Sequence, residues 1–109
     1  MNKEMMKGST DILLLSLINQ SDMYGYEIIQ KIKLNSDDLY KMSEGTLYPA
    51  LNRLKKKGWI TSYWDEREQY GRRKYYSITE EGKKELELKL MDWSKVYQLV
   101  VKCSGGMAT

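Results

Sequence analysis

The stretch "TDILLLSLINQ", Thr10 to Gln20, constrains the fold more than any other part of this chain. Wound as a helix, it carries Ile12, Leu13, Leu14, Leu15, Leu17 and Ile18 on nearly every side. A helix apolar all round has to be buried all round. A chain of 109 residues forms one domain with a modest core, and the rest of it must wrap this helix. A partner subunit is expected to cover whatever face the chain leaves open. Ser9 or Thr10 can cap the helix start.

The neighbouring segments supply the wrapping. In "SDMYGYEIIQKIKLNSDD", Ser21 or Asp22 is a suitable N-cap, and Gly25, Ile28, Ile29 and Ile32 recur at helical spacing. "LNSDD" then reads as a loop. "SEGTLYPALNRLKKKGWI" predicts a third helix with Ser43 as N-cap and Glu44 in its first turn. Leu47, Ala50, Leu51 and Leu54 form its apolar stripe, and Gly58 ends it after three lysines. The chain's single proline, Pro49, falls inside it. A helix starting at Pro49 would suit the ring but lose Leu47 from the stripe, so the longer helix is expected.

After Gly58 the period changes. Ile60, Ser62 and Trp64 alternate with Thr61 and Tyr63, "EREQYG" interrupts, and "RRKYYSI" resumes. That is a β-hairpin with a polar, glycine-containing tip. Thr79 then caps a long last helix with Glu80 and Glu81 in its first turn. Leu86, Leu90, Trp93, Tyr97 and Val100 follow one another at heptad a and d spacing, and a second stripe through Leu88 and Leu99 is partly polar. The expected architecture is α+β, mostly α: a winged helix-turn-helix over residues 1–78, a C-terminal dimerisation helix over 79–103, and a flexible tail over 104–109. In such a fold the second helix of the turn motif enters the DNA major groove, and the hairpin reaches over the backbone.

Composition removes several alternatives. The chain has no histidine and one cysteine, Cys103, so His-based triads, His metal sites and zinc clusters are excluded, as is an internal disulfide. No catalytic residue, metal or other cofactor is expected. No apolar run approaches the length of a membrane span, and "MNKEMMKGST" lacks a signal-peptide core, so a cytoplasmic protein is expected. The net charge of +3 is unevenly spread: residues 41–75 hold nine Lys or Arg against four acids, which leaves the remainder slightly acidic. A basic segment on an acidic body points to an anion-binding face.

The candidate face lies on the third helix and the hairpin. With Leu47 at the centre of the buried side, Gly45, Pro49, Asn52 and Lys56 fall near the opposite side, flanked by Tyr48 and Arg53. Gly45 and Pro49 keep that surface low, so the backbone can approach a groove. Ser43, Thr46, Tyr48 and Asn52 carry hydrogen-bonding groups for base edges or phosphates. Lys41, Arg53 and Lys56 add charge. At the wing, Gly71 precedes Arg72, Arg73 and Lys74. Strand alternation puts Arg72 and Lys74 on one face and Arg73 on the other. A solvated helix face and a charge-protected edge strand are the plainer readings of the same residues. Double-stranded DNA is the expected partner.

"GTLYPALNRLKKKGWI" followed by "GRRKYYSITEEGKKEL" resembles the PadR family of bacterial transcriptional regulators, and the likeness runs from about Thr10 to Val101. It implies a winged helix-turn-helix with a C-terminal dimerisation helix, working as a homodimeric repressor released from double-stranded operator DNA by small, often phenolic or drug-like molecules. It places Thr46, Tyr48 and Pro49 in the recognition helix and Gly71, Arg72 and Arg73 in the wing. Lys55 stands where many members have an acid. A single C-terminal helix points to the small subgroup, and "DWSKV" is similar to multidrug-binding members whose tryptophan lines a pore at the dimer centre.

A dimer would use the seam Leu86, Leu90, Trp93, Tyr97 and Val100 together with Leu13 and Leu17 of the first helix. A twofold pair would present two recognition helices about one DNA turn apart. Trp93 and its twin could clamp a small planar aromatic ligand, with Asp11, Leu14, Leu90 and Tyr97 as further wall residues; interface core is the simpler role for Trp93. Two other functions stay open: a winged-helix module that meets an acidic protein, and a nonspecific DNA-binding protein without ligand response.

Overall fold

The computed structural model describes residues 8–66 and 71–106. Residues 67–70 of the expected hairpin tip, residues 1–7 and residues 107–109 of the expected tail lie outside the described residues. The elements are α1 (Thr10–Gln20), β1 (Met23–Tyr24), α2 (Gly25–Asn35), α3 (Glu44–Lys56), β2 (Ile60–Asp65), β3 (Arg73–Ile78) and α4 (Glu80–Cys103). No helix among the described residues is long and apolar enough to cross a membrane.

The apolar first helix sits where its composition requires. Leu14, Leu15 and Ile18 of α1 are all but fully buried, and α2, α3, α4 and β3 pack around them. Ile28 and Ile32 of α2 and Leu47, Ala50, Leu51 and Leu54 of α3 complete the core. The stripe read from the sequence of α3 is thus its buried stripe. Ser43 is its N-cap, with Oγ accepting the Thr46 N–H at 3.2 Å, and Pro49 lies within the helix.

One element was not expected. Met23 and Tyr24 form a short strand antiparallel to β3, pairing with Tyr76 and Tyr75, so the sheet order is β1-β3-β2. Two residues are too few to show an alternation in sequence. The strand also displaces the start of α2. Its N-cap is Tyr24 rather than Ser21 or Asp22, because the chain is still extended at Tyr24; the Glu27 carboxylate accepts the Tyr24 N–H at 3.3 Å.

Helix ends are closed in a common way. At the end of α3 the Trp59 N–H donates to Leu54 and the Gly58 N–H to Lys55, with Gly58 at φ +79°. This double bond pattern is the Schellman closure, which needs a left-handed residue at its turn. The same closure ends α4: Gly106 donates to Val101 and Gly105 to Lys102, with Gly105 at φ +70°. Residues 104–106, expected within a flexible tail, therefore form the cap of α4.

A clasp joins α3 to α4. Thr79 Oγ1 donates to the Gly58 carbonyl at 2.7 Å and accepts the Gly82 N–H at 3.0 Å. The Thr79 N–H donates to the Trp59 carbonyl at 3.0 Å. The direction in which α4 leaves the domain is thereby tied to the C-terminal end of α3. Beyond Leu86, α4 projects past the core, and nearly every residue from Glu87 to Val100 is exposed.

Candidate nucleic-acid interface

Helix α3 presents the face expected of it. Gly45, Thr46, Pro49, Asn52 and Lys56 are exposed on the side opposite the buried leucines, as are Lys41 and Ser43 at its start. A Cβ built on Gly45 would meet only Ser43 Oγ, at 3.8 Å, so nothing in the fold itself demands glycine there. The low surface around Gly45 and Pro49 is a property of the outward face. Ser43 is less available than the sequence implied: its hydroxyl accepts the Thr46 N–H and donates to Thr46 Oγ1 at 3.2 Å.

Two expected outward residues turn aside. Tyr48 leans onto α2, where a Cβ on Gly25 would lie 2.4 Å from its hydroxyl oxygen; the absent side chain of Gly25 is the space the phenol uses. Tyr48 nevertheless remains 41% exposed. Arg53 reaches to α1, donating to Asp11 Oδ1 at 2.5 Å. Asp11 had been expected on a ligand wall and Arg53 on DNA. The fold makes them an ion pair, because α1 and α3 pack side by side and bring together charges that lie 42 residues apart. With the arginine side chain about half exposed, such a pair contributes under about 1 kcal/mol.

The wing divides its cations as strand alternation predicts. The Arg72 guanidinium lies 4.5 Å from the Trp64 ring centroid, and the Lys74 ammonium lies over the same ring at 5.8 Å. Arg73 takes the other face. It lies 4.5 Å from the Tyr24 ring centroid and donates to the Tyr24 hydroxyl at 3.0 Å. Tyr24 meets Tyr75 edge-on, Tyr75 stacks on Tyr63, and the Tyr63 hydroxyl donates to Asp22 Oδ2 at 2.6 Å. That bond favours the protonated phenol and pushes the Tyr63 pKa up to about 12. Arg73 is therefore a bracing residue of the sheet as well as a cation, whereas Arg72 is exposed and paired only loosely, to Glu66 at 3.3 Å. Arg73→Ala should lower the unfolding midpoint by several degrees, and Arg72→Ala should leave it within about one degree, by circular dichroism melts. Equal midpoints for the two variants would contradict the bracing role.

Between α3 and the sheet lies a concavity of about 450 Å³, with Tyr48 and Asn52 on the helix side and Trp64, Arg73, Lys74 and Tyr76 on the sheet side. It joins the recognition surface to the wing. Sequence reasoning missed Trp64 and Tyr24 here. A tryptophan at an alternating position in a basic hairpin was the available signal.

The C-terminal half of α4 forms a second surface. Leu90, Trp93, Tyr97 and Val100 of the expected seam are about half exposed, and so are Leu88, Met91, Val96 and Leu99. The Trp93 and Tyr97 rings stack at 6.1 Å with 2° between their planes. Trp93 and Asp11 line one cavity of about 280 Å³ with Ile12, Lys89, Asp92 and Val96; Leu90 and Tyr97 are not among its walls. Leu14, expected on that wall, is wholly buried in the core. Leu17 and Leu86, expected at a dimer interface, are buried at 6% and 5% exposure, so they have little surface left to give a partner. The causes differ: Leu86 lies where α4 attaches to α1, whereas Leu17 lies on the side of α1 that meets Ile32 and Tyr40. Leu13 keeps partial exposure.

Comparison with known proteins fits this arrangement. Residues 14–88 match the transcriptional regulator PadR-like family. A transcriptional regulator from Clostridium thermocellum superposes with a TM-score of 0.86 at 39% identity, over 94% of this chain and 96% of that one. A PadR family transcription regulator from Clostridium difficile gives 0.74 at 38% identity, over 86% and 96%. Bacillus subtilis PadR, solved in complex with operator DNA, gives 0.66 at 26% identity over 74% of this chain, which spans 45% of that protein. A family match over most of the length, on a chain whose helices and hairpin fold as a winged helix, leaves one assignment: this protein belongs to the PadR-like family of transcriptional regulators.

Proposed function

We propose that this protein is a homodimeric repressor that binds operator DNA in the cytoplasm, with residues 1–78 as the DNA-binding unit and residues 79–103 as the dimerisation helix. The observation that carries the reading is the juxtaposition of the open α3 face with the basic wing across one concavity. The likeness to Bacillus subtilis PadR, which was solved on its operator, supports it. On this reading Lys41, Thr46, Pro49, Asn52 and Lys56 meet DNA from the helix side, with Gly45 allowing close approach. Tyr48 contributes its exposed part. Gly71, Arg72, Arg73 and Lys74 serve from the wing. The exposed half of α4 joins two copies. A small planar aromatic ligand is proposed to modulate binding at Trp93, beside Asp11.

Titration of the protein on a footprinted upstream duplex and on a scrambled duplex, over a range of salt, tests the DNA reading. A specificity ratio of roughly 10³ or more is expected for a repressor. Affinity should fall linearly in log–log form with salt as phosphate contacts release counterions. A ratio near one would leave a nonspecific DNA-binding protein. No duplex binding at any salt would leave the protein-interaction module.

A further inference from the structure

Trp64 is out of place for a residue on the inner face of this sheet. In β2 it shares a face with Ile60 and Ser62, opposite Lys74, and that face carries Ile60, Tyr76 and Ile78 into or against the core. Yet Trp64 is 52% exposed. The fold does not complete the packing of the indole, although Tyr48 and Asn52 of α3 lie across the same concavity. Two cations lie over its ring instead, Arg72 and Lys74. Its free surface faces the concavity whose other wall is Tyr48 and Asn52 of α3.

We infer that Trp64 is itself a DNA-contacting residue, whose indole lies against the deoxyribose of a strand running between α3 and the wing, while Arg72 and Lys74 reach the flanking phosphates. The inference rests on the DNA-binding reading above and adds a residue and a contact type to it. Three features fit one occupant. A flat apolar ring with two cations over it offers apolar and cationic surface side by side, as a nucleic-acid backbone requires, where an apolar sugar adjoins anionic phosphates. Stacking on the indole holds the long side chains of Arg72 and Lys74 near that surface, which reduces the entropy lost when they bind. The acid paired with Arg72, Glu66 at 3.3 Å, is exposed, so a phosphate can displace it.

The test compares wild type, Trp64→Ala, Trp64→Phe and Arg72→Ala on one random-sequence duplex of about 25 base pairs and on heparin, across salt. Heparin offers dense anionic charge without a deoxyribose backbone in a groove. Trp64→Ala is expected to weaken duplex binding about tenfold, with the log–log salt slope kept and heparin affinity unchanged. Trp64→Phe should recover most of the loss. Arg72→Ala should instead flatten the slope and weaken both polyanions. Thermal melts establish that each variant is folded, and the exposed position of Trp64 makes that the expected result. In the Trp59→Phe, Trp93→Phe background, Trp64 fluorescence should become less accessible to acrylamide when the duplex is added. Unchanged duplex affinity and unchanged quenching would overturn the inference while wild-type binding leaves the DNA reading intact. A loss on heparin equal to that on the duplex, with a flattened slope, would also overturn it, since Trp64 would then only position cations. Wild type that binds neither duplex nor heparin would overturn both.

Discussion

Replacing Gly82 by alanine should cost roughly 2–4 kcal/mol of stability, the range of an overpacked core site, and lower the unfolding midpoint by about ten degrees or more. A methyl at this position would sit 2.0 Å from the Trp59 carbonyl oxygen and 2.9 Å from Ile78 Cγ1. The side chain of Ile78 could turn away. The carbonyl cannot move freely, because it accepts the Thr79 N–H at 3.0 Å and belongs to the turn that closes α3. Relieving the clash therefore breaks a backbone bond of the clasp or tilts α4 away from the domain. Alanine's better helix propensity, worth about 1 kcal/mol in a helix interior, returns less than that in a first turn. Gly45→Ala is the control. It meets only Ser43 Oγ, at ordinary contact distance, and should leave the midpoint unchanged or slightly raised. Chemical or thermal unfolding of the two variants decides the matter: equal midpoints would mean that the clasp yields without cost. Because α4 takes its direction from the clasp, a folded Gly82→Ala protein should also lose DNA affinity through altered spacing of the two recognition helices in the proposed dimer.

How much of this was legible beforehand depends on how local each signal is. The N-caps Ser43 and Thr79, the stop at Gly58 and the buried stripe of α3 all rest on neighbours within four residues. Their chemistry is complete in a short window. The facing of the wing cations was legible for the same reason, since strand alternation fixes it. What escaped depends on packing between distant segments. Tyr48 over Gly25, Arg53 on Asp11 and Arg73 on Tyr24 are each set by which elements come side by side. The two-residue strand β1 exists because β3 offers it an edge, so its own sequence carries little of the cause. The "YGYE" run was the partial clue. It places a buried glycine between two tyrosines, and both Gly25 and Tyr24 turn out to be docking points for side chains that the sequence assigned to DNA.

The same distinction bears on α4, where the expected result is a monomer. Leu90→Glu combined with Val100→Glu should shift the protein to one copy per particle in sedimentation at micromolar concentration. Both residues are about half exposed in the single chain, at 46% and 52%, so the substitutions remove little packing within it and should leave its melting cooperative. Their effect has to arise between copies. Eight large apolar side chains from Leu88 to Val100 lie exposed on this one helix segment, two of them stacked aromatics. A contiguous apolar surface of this kind is characteristic of an interface, not of a helix end facing water. In the proposed dimer each glutamate would be buried among these residues without a partner, at a cost of several kcal/mol per charge. Loss of the dimer should weaken operator binding by about 10² or more, because the second recognition helix no longer binds at the effective concentration that linkage provides. Heparin affinity per chain, which needs only the wing and the α3 lysines, should change far less. Persistence of the dimer in this double variant would show that α4 is not the joining surface, and would place the contact on α1, where Leu13 keeps part of its surface.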